Sequence, residues 1–178
     1  MTKVIAFAGK IGSGKTTLTK ALAESLGCLR ASFGDYVRDV VRAQGLPPTR
    51  ENLQRVGTQL LESDTNGFCR AVLSQPGWRP GEMLVIDGLR HKETVNPIKD
   101  IISPAELRIV FLSVDENTRL ARLAQRGDAD ISALTRADAH SSELQVGSTL
   151  CEMADLVLEG DESVEDTVLR VGEWIRTQ

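Results

Sequence analysis

Apolar positions along the chain follow two alternating patterns, unbroken short runs and runs spaced at helical intervals. Val4-Ile5-Ala6-Phe7-Ala8 is continuous and closed by Gly9, the pattern of a strand buried on both faces. Residues 15–27 place Leu18, Leu22 and Leu26 four apart and stop at Gly27, which predicts a helix. A short strand is predicted over Leu29–Ser32, then a helix over 35–44 carrying Val37, Val40 and Val41. Pro47-Pro48 breaks the chain. Thr49 is placed to cap a helix bearing Leu53, Val56, Leu60 and Leu61, with helical character continuing through Arg70–Leu73. Past the Pro76-Gly77-Trp78-Arg79-Pro80-Gly81 loop, Met83-Leu84-Val85-Ile86 reads as a buried strand ending at Asp87-Gly88. A helix over 92–101, a strand over Leu107–Val114 and a helix over 115–126 follow. Residues 128–152 are polar and irregular, predicted as a mobile loop and then a helix. Asp155–Leu158 is the last strand, and Val164, Val168, Val171 and Ile175 form one face of a closing helix.

Strands alternating with helices predict an α/β fold in three layers, a parallel sheet of about five strands with helices on both faces. Ligands in that architecture bind beyond the carboxyl ends of the strands. At 178 residues the chain is expected to be one domain, and 41% hydrophobic with 26% charged residues leaves no large part disordered. Aromatics are only 4%, so the core must be mostly aliphatic. The net charge of −4 excludes the basic face of a duplex nucleic-acid binder but not a local cluster of donors for a small anion. Cys28, Cys69 and Cys151 form no CxxC pair and, being odd in number, no disulfide framework. With no apolar run of spanning length and no secretory signal, a cytoplasmic protein with no membrane partner is expected. Nothing in the pattern indicates an oligomeric state.

One motif carries more than fold. Gly9-Lys10-Ile11-Gly12-Ser13-Gly14-Lys15-Thr16 is a full G-x-x-x-x-G-K-T phosphate loop between a predicted strand and a predicted helix. Its glycines let backbone N–H groups turn inward on a polyphosphate, and the new helix aims its N-terminus at the same point. ATP is expected here, held by residues 9–17 with Thr17 included. Lys15 should reach the β- and γ-phosphates, and the Thr16 hydroxyl should ligate Mg2+. Asp87, ending a hydrophobic strand, is placed to contact the magnesium shell, although Asp-Gly is also a common turn.

Further segments bear a family resemblance. Ser32-Phe33-Gly34-Asp35-Tyr36-Val37-Arg38 resembles the Gly-Asp-x-x-Arg segment of adenylate kinases and related nucleoside monophosphate kinases, which opens their monophosphate site. Asp87-Gly88-Leu89-Arg90 is similar to the segment that supplies them a second arginine. Arg122 and Arg126 resemble the arginine pair at the lid entrance, and Arg136-x-Asp138 the motif on the lid's far side. The run through Pro48-Thr49-Arg50-Glu51-Asn52-Leu53 and Ile86-Asp87-Gly88-Leu89-Arg90 resembles, over almost the whole chain, the adenylate-kinase-related proteins often labelled dephospho-CoA-kinase-like. Phe33, Thr94 and Gly147 depart from the adenylate kinase pattern, which disfavours AMP as acceptor.

The resemblance implies a P-loop kinase-like domain spanning 1–178, with an acceptor-side helical cap over about 35–75 and a short lid over about 128–147. Catalytic roles fall to Lys15, Asp35, Arg90, Arg122 and Arg126. Acceptor binding falls to Asp35, Arg38, Asp87, Arg90 and Arg136, and metal contact to Thr16 and Asp87. The chemistry is consistent with this, because joining two phosphate-bearing substrates requires charge neutralisation and planar guanidiniums suit phosphates. Arg119, Arg122 and Arg126 fall on one helix face. Asp35 can be a general base, a metal-shell ligand or simply a helix N-cap. His91 and His140 read as surface or packing residues, and Trp78 as a packing residue that could line the acceptor pocket. The expected activity is transfer of the γ-phosphoryl of Mg-ATP to a small nucleotide-like acceptor. Dephospho-CoA kinase, deoxynucleotide monophosphate kinase and a regulatory ATPase or nucleotide switch stay open as alternatives.

Overall fold

The structure, a computed structural model, describes residues 2–125, 146–160 and 162–177. Its strands are β1 (Lys3–Ala8), β2 (Leu29–Ser32), β3 (Leu84–Leu89), β4 (Glu106–Ser113) and β5 (Leu156–Glu159). They form one parallel sheet in the order β2-β3-β1-β4-β5. The described helices are α1 (Lys15–Leu26), α2 (Phe33–Ala43), α3 (Arg50–Ser63), α4 (Thr65–Ser74), α5 (Val95–Ile102), α6 (Glu116–Gln125) and α7 (Val164–Thr177). A 3-10 turn, Lys92–Thr94, leads into α5, and a π-helical turn, Val146–Leu150, precedes β5. No described helix is long and apolar enough to cross a membrane.

The continuous apolar run of β1 is explained by its central place, since side chains alternate across the sheet and both faces are covered. Val4, Ala6 and Ala8 join Ile86, Ile109 and the buried faces of α2, α4 and α5 in one cluster. Ile5 and Phe7 join Val110, Leu112, Leu18 and Leu22 of α1, and Val168, Val171 and Ile175 of α7 in the other. Each large aliphatic side chain so buried contributes about 1.5–3 kcal/mol. The predicted three-layer α/β fold is thus present, and the spacing in α1 and α7 marks their buried faces.

Three local features differ from expectation. The helix expected to run from Thr49 through Leu73 is divided at Asp64, whose carboxylate accepts from the Gly67 N–H at 2.8 Å and caps α4. The cap of α2 is Ser32, whose hydroxyl accepts from the Asp35 N–H at 3.2 Å, so Asp35 lies inside the first turn and is not the N-cap. Asp87-Gly88 does not end β3 as a turn. The register passes from Phe7 opposite Asp87 to Ala8 opposite Leu89, leaving Gly88 as a bulge at φ +84°. Trp78 is the packing residue expected, seated in the first cluster with Nε1 donating to the Glu82 carbonyl at 2.8 Å. The stretch 128–145, with the predicted mobile loop and most of the predicted lid, lies outside the described residues.

Candidate active site

The carboxyl ends of β1, β2 and β3 bring the sequence motifs to one edge of the sheet. After β1, residues 9–14 curl tightly before α1 begins. Gly12 has φ +82°, and a Cβ there would lie 2.7 Å from Leu123 Cδ1 of α6, so the position admits no side chain. Lys15 is buried, with Nζ donating to the Gly9 carbonyl, to the Lys10 carbonyl at 2.8 Å and to Ser13 Oγ at 3.1 Å. The ammonium thus sits inside the curl of the loop, away from the apolar core. Thr16 and Thr17 are exposed in the first turn of α1.

Facing them, Asp87 is buried at the end of β3, and its Oδ2 accepts from Thr16 Oγ1 at 3.0 Å. Arg30 of β2 makes an ion pair with the same carboxylate through Nη2. Its Nη1 bonds Asp35 Oδ2 at 3.2 Å, and its Nε donates to Thr19 Oγ1 at 3.0 Å. Arg38 pairs with the other oxygen of Asp35. Burial alone would raise the Asp35 carboxyl, but hydrogen bonds from Arg30 and Ser32 and the charges of Arg38 and Arg30 outweigh it and hold the pKa below the ordinary carboxylate value.

This donor set fits magnesium and a triphosphate. Thr16 and Asp87 offer hard oxygen donors side by side at the mouth of a phosphate loop. Among the described residues no cluster of three or more His, Cys, Asp or Glu could cage a metal alone. A magnesium ion held by one carboxylate and one hydroxyl, with substrate phosphates and water completing the shell, needs no such cage. Cys69 supplies no nucleophile, because burial, aided by the Asp64 carboxylate, pushes its thiol up to about 12.

A cavity of about 460 Å3 opens between α2, α3 and the end of β3. Ile11 of the phosphate loop, Gly34, Arg38, Gly88, Arg90 and Thr94 are among its lining residues. Arg38 and Arg90 are therefore brought to one cavity that borders the loop. His91, expected to be a surface or packing residue, also lines it. A second cavity, about 410 Å3, borders Lys10 and Ser13 and is walled by Glu116 and Arg119 of α6.

The arginine face of α6 turns to the phosphate loop. Arg119 is buried and donates from Nε to the Ile11 carbonyl at 2.8 Å. Arg122 donates from Nη1 to the Ser13 carbonyl at 3.0 Å and from Nη2 to the Gly160 carbonyl at 2.7 Å. Both brace the phosphate loop by its backbone. Arg126, Arg136 and His140 lie outside the described residues. Sequence reasoning missed Arg30, whose only signal is an arginine in a short strand otherwise bound for the interior. It also assigned no role to Arg50, another lining residue of the first cavity.

Residues 5–143 match the AAA domain family, a span that takes in the loop, Asp87 and the arginines of α6. The chain belongs to the AAA domain family. The similarity of this AAA domain to UPF0200 proteins runs nearly end to end. The protein of Aeropyrum pernix is 32% identical over 92% of this chain and 87% of its own. That of Methanoregula boonei is 28% identical over 98% and 96%. Among solved structures, shikimate kinase from Acinetobacter baumannii in complex with shikimate superposes with a TM-score of 0.64 at 16% identity, over 99% of this chain and 94% of its own. A gluconokinase from Sinorhizobium meliloti gives 0.55 at 17% identity, over 99% and 97%. The AAA domain thus has the P-loop kinase fold that the sequence resemblance implied.

Proposed function

We propose that the protein is an ATP-dependent phosphotransferase that moves the γ-phosphoryl of Mg-ATP to a phosphate group of a small nucleotide-like acceptor. The observation that carries this reading is the cavity beside the phosphate loop holding Arg38 and Arg90. A nucleotide switch has no second phosphate to clamp and no use for such a pocket. The known activities of the shikimate kinase and gluconokinase with this fold agree with small-molecule phosphorylation in general.

In this reading Lys15 and the loop N–H groups neutralise charge that moves toward the β-phosphate as the bridging P–O bond breaks. Thr16 and Asp87 would hold magnesium, which when bound offsets charge on the β- and γ-phosphates. Arg38 and Arg90 hold the acceptor phosphate so that one of its oxygens lies in line with the γ-phosphorus. Arg119 and Arg122 keep the loop rigid through its carbonyls. α2, α3 and α4 serve as the acceptor-side cap.

The state of Asp35 favours an ionised phosphate as acceptor over a hydroxyl. A hydroxyl would need a general base, and a carboxylate paired with two guanidiniums has its basicity lowered. An acceptor phosphate is already ionised and needs no base. The test is a coupled ADP-release screen over nucleoside monophosphates and dephospho-CoA, with Lys15→Ala as control. Acceptor-dependent release that Lys15→Ala abolishes supports the reading. ADP release of equal rate with and without every acceptor would instead indicate a regulatory ATPase.

A further inference from the structure

Midway along α3 stands a glycine that neither the helix nor its packing requires. Gly57 is half-buried and is not among the glycines of positive φ, so its backbone conformation is open to any L-residue that forms helix. After proline, glycine is the residue that most weakens a helix interior. Close approach of a neighbour is one reason to keep it there, as at Gly12, where a Cβ would strike Leu123. At Gly57 it would strike nothing. A Cβ there would lie 3.8 Å from Cγ2 and 3.9 Å from Cγ1 of Val37 on α2, which is ordinary van der Waals contact. Among the described residues beyond its own helix, no other atom would come within 4 Å.

What the missing side chain leaves is space in the cavity beside the phosphate loop, which Gly57 lines. Its neighbour Val37 lines the same cavity, with Phe33, Leu53 and Phe68. The two phenylalanine rings meet edge to face, their centroids 5.2 Å apart. With no side chain at Gly57, the α3 backbone is itself the wall at that point, and a flat group can lie flush against it. Arg38 and Arg90 offer the cavity charge for a phosphate, whereas the surroundings of Gly57 offer apolar surface. Of an acceptor that carries both a phosphate and a ring, the ring is the part that suits this wall.

We propose that Gly57 is a specificity-determining residue of the acceptor cavity, leaving the width in which the ring of a nucleotide-like acceptor lies against the α3 backbone. The chain forgoes helix stability for that width. The proposal rests on the nucleotide-acceptor reading above and adds what sets the size of the acceptor admitted. It separates acceptors by whether they carry a ring system beyond the sugar, not by which base that is.

Gly57→Ala adds one methyl group, and two measurements on the full chain read its effect. In thermal unfolding the Tm should rise by about 2–4 °C, because alanine favours the helix and nothing obstructs its methyl. In calorimetry the affinities for AMP and UMP should fall by about 10- to 200-fold, the range for one methylene too many in an apolar pocket. Ribose 5-phosphate, a probe with a phosphate and no base, should bind as it does to wild type, and so should Mg-ATP. A glycine kept only for the fold would not give higher stability together with weaker nucleotide binding. A Tm unchanged or lowered, or a variant that does not fold, would give the glycine a reason inside the fold and overturn the proposal. So would AMP and UMP affinities equal to those of wild type, or a loss of ribose 5-phosphate binding as large as theirs. If wild type binds neither AMP nor UMP, the nucleotide-acceptor reading itself fails and takes this proposal with it.

Discussion

Arg30 of β2 and Thr16 of α1 donate to the same oxygen of Asp87, Oδ2. The side chains of Arg30 and Asp87 are 15% and 6% exposed, so solvent screens the pair little. Arg30 also reaches Asp35, which pairs with Arg38 at the cavity beside the phosphate loop. A chain of alternating charges thus joins Asp87 to Arg38.

Arg30→Met should destabilise the fold by about 3–5 kcal/mol, because it leaves Asp87 a buried carboxylate without its counter-ion. Asp87→Asn in the same chain should recover part of that loss. Urea unfolding of the two single variants and the double variant measures the coupling. Strictly additive effects would mean that the ion pair contributes nothing to stability.

Asp35 makes stability depend on acid. Its folded pKa lies below its unfolded value, so its contribution is present above about pH 4 and is lost as pH falls through the folded pKa. Unfolding midpoints of wild type and Asp35→Asn should differ near neutrality and converge as the pH drops below about 4. A difference that stays constant from neutral to strongly acidic conditions would separate Asp35 from this effect.

Much of this arrangement is legible in the chain, for reasons particular to each part. The phosphate loop is contiguous, so its glycines, lysine and threonine disclose it without help from tertiary structure. The β1 run and the heptad-like face of α7 disclose burial directly. The division at Asp64 is hidden because apolar residues keep helical spacing through it. Asp87-Gly88 reads as a turn because the same dipeptide serves turns and this bulge alike. The Arg30 network is assembled from β2, β3 and α2, and no spacing encodes that meeting. Arg119 and Arg122 share a face as predicted, yet what that face meets depends on where α6 docks, and it docks on the loop carbonyls.

Arg90→Ala should weaken acceptor binding far more than ATP binding. Loss of one charge-assisted phosphate contact costs about 1.5–3 kcal/mol, roughly 10- to 150-fold in acceptor affinity. Separate titrations of Mg-ATP and acceptor measure the split. Lost ATP affinity with acceptor affinity intact would assign Arg90 to the donor side.

A bisubstrate analogue, two nucleosides joined by five phosphates, should occupy the loop and the Arg38–Arg90 cavity together. Linking makes the second binding event intramolecular, so the analogue should bind about 10²–10⁴-fold more tightly than ATP. Competition against labelled ATP gives the ratio. An analogue no tighter than ATP would reduce the protein to one anion site.

The extra residue in β3 sets which way the residues after Asp87 face. Gly88 opposes nothing on β1, so the pleat loses one step of its alternation between Asp87 and Leu89. Were Gly88 instead paired in step, opposite Ala8, Leu89 and Arg90 would turn over, taking the leucine out of the first cluster and Arg90 away from the cavity. The sheet could keep its five strands and its phosphate loop and still lose the second half of the site. A single glycine without a side chain thus decides which way the strand's last residues face, and with it whether the cleft has one electrostatic pole or two.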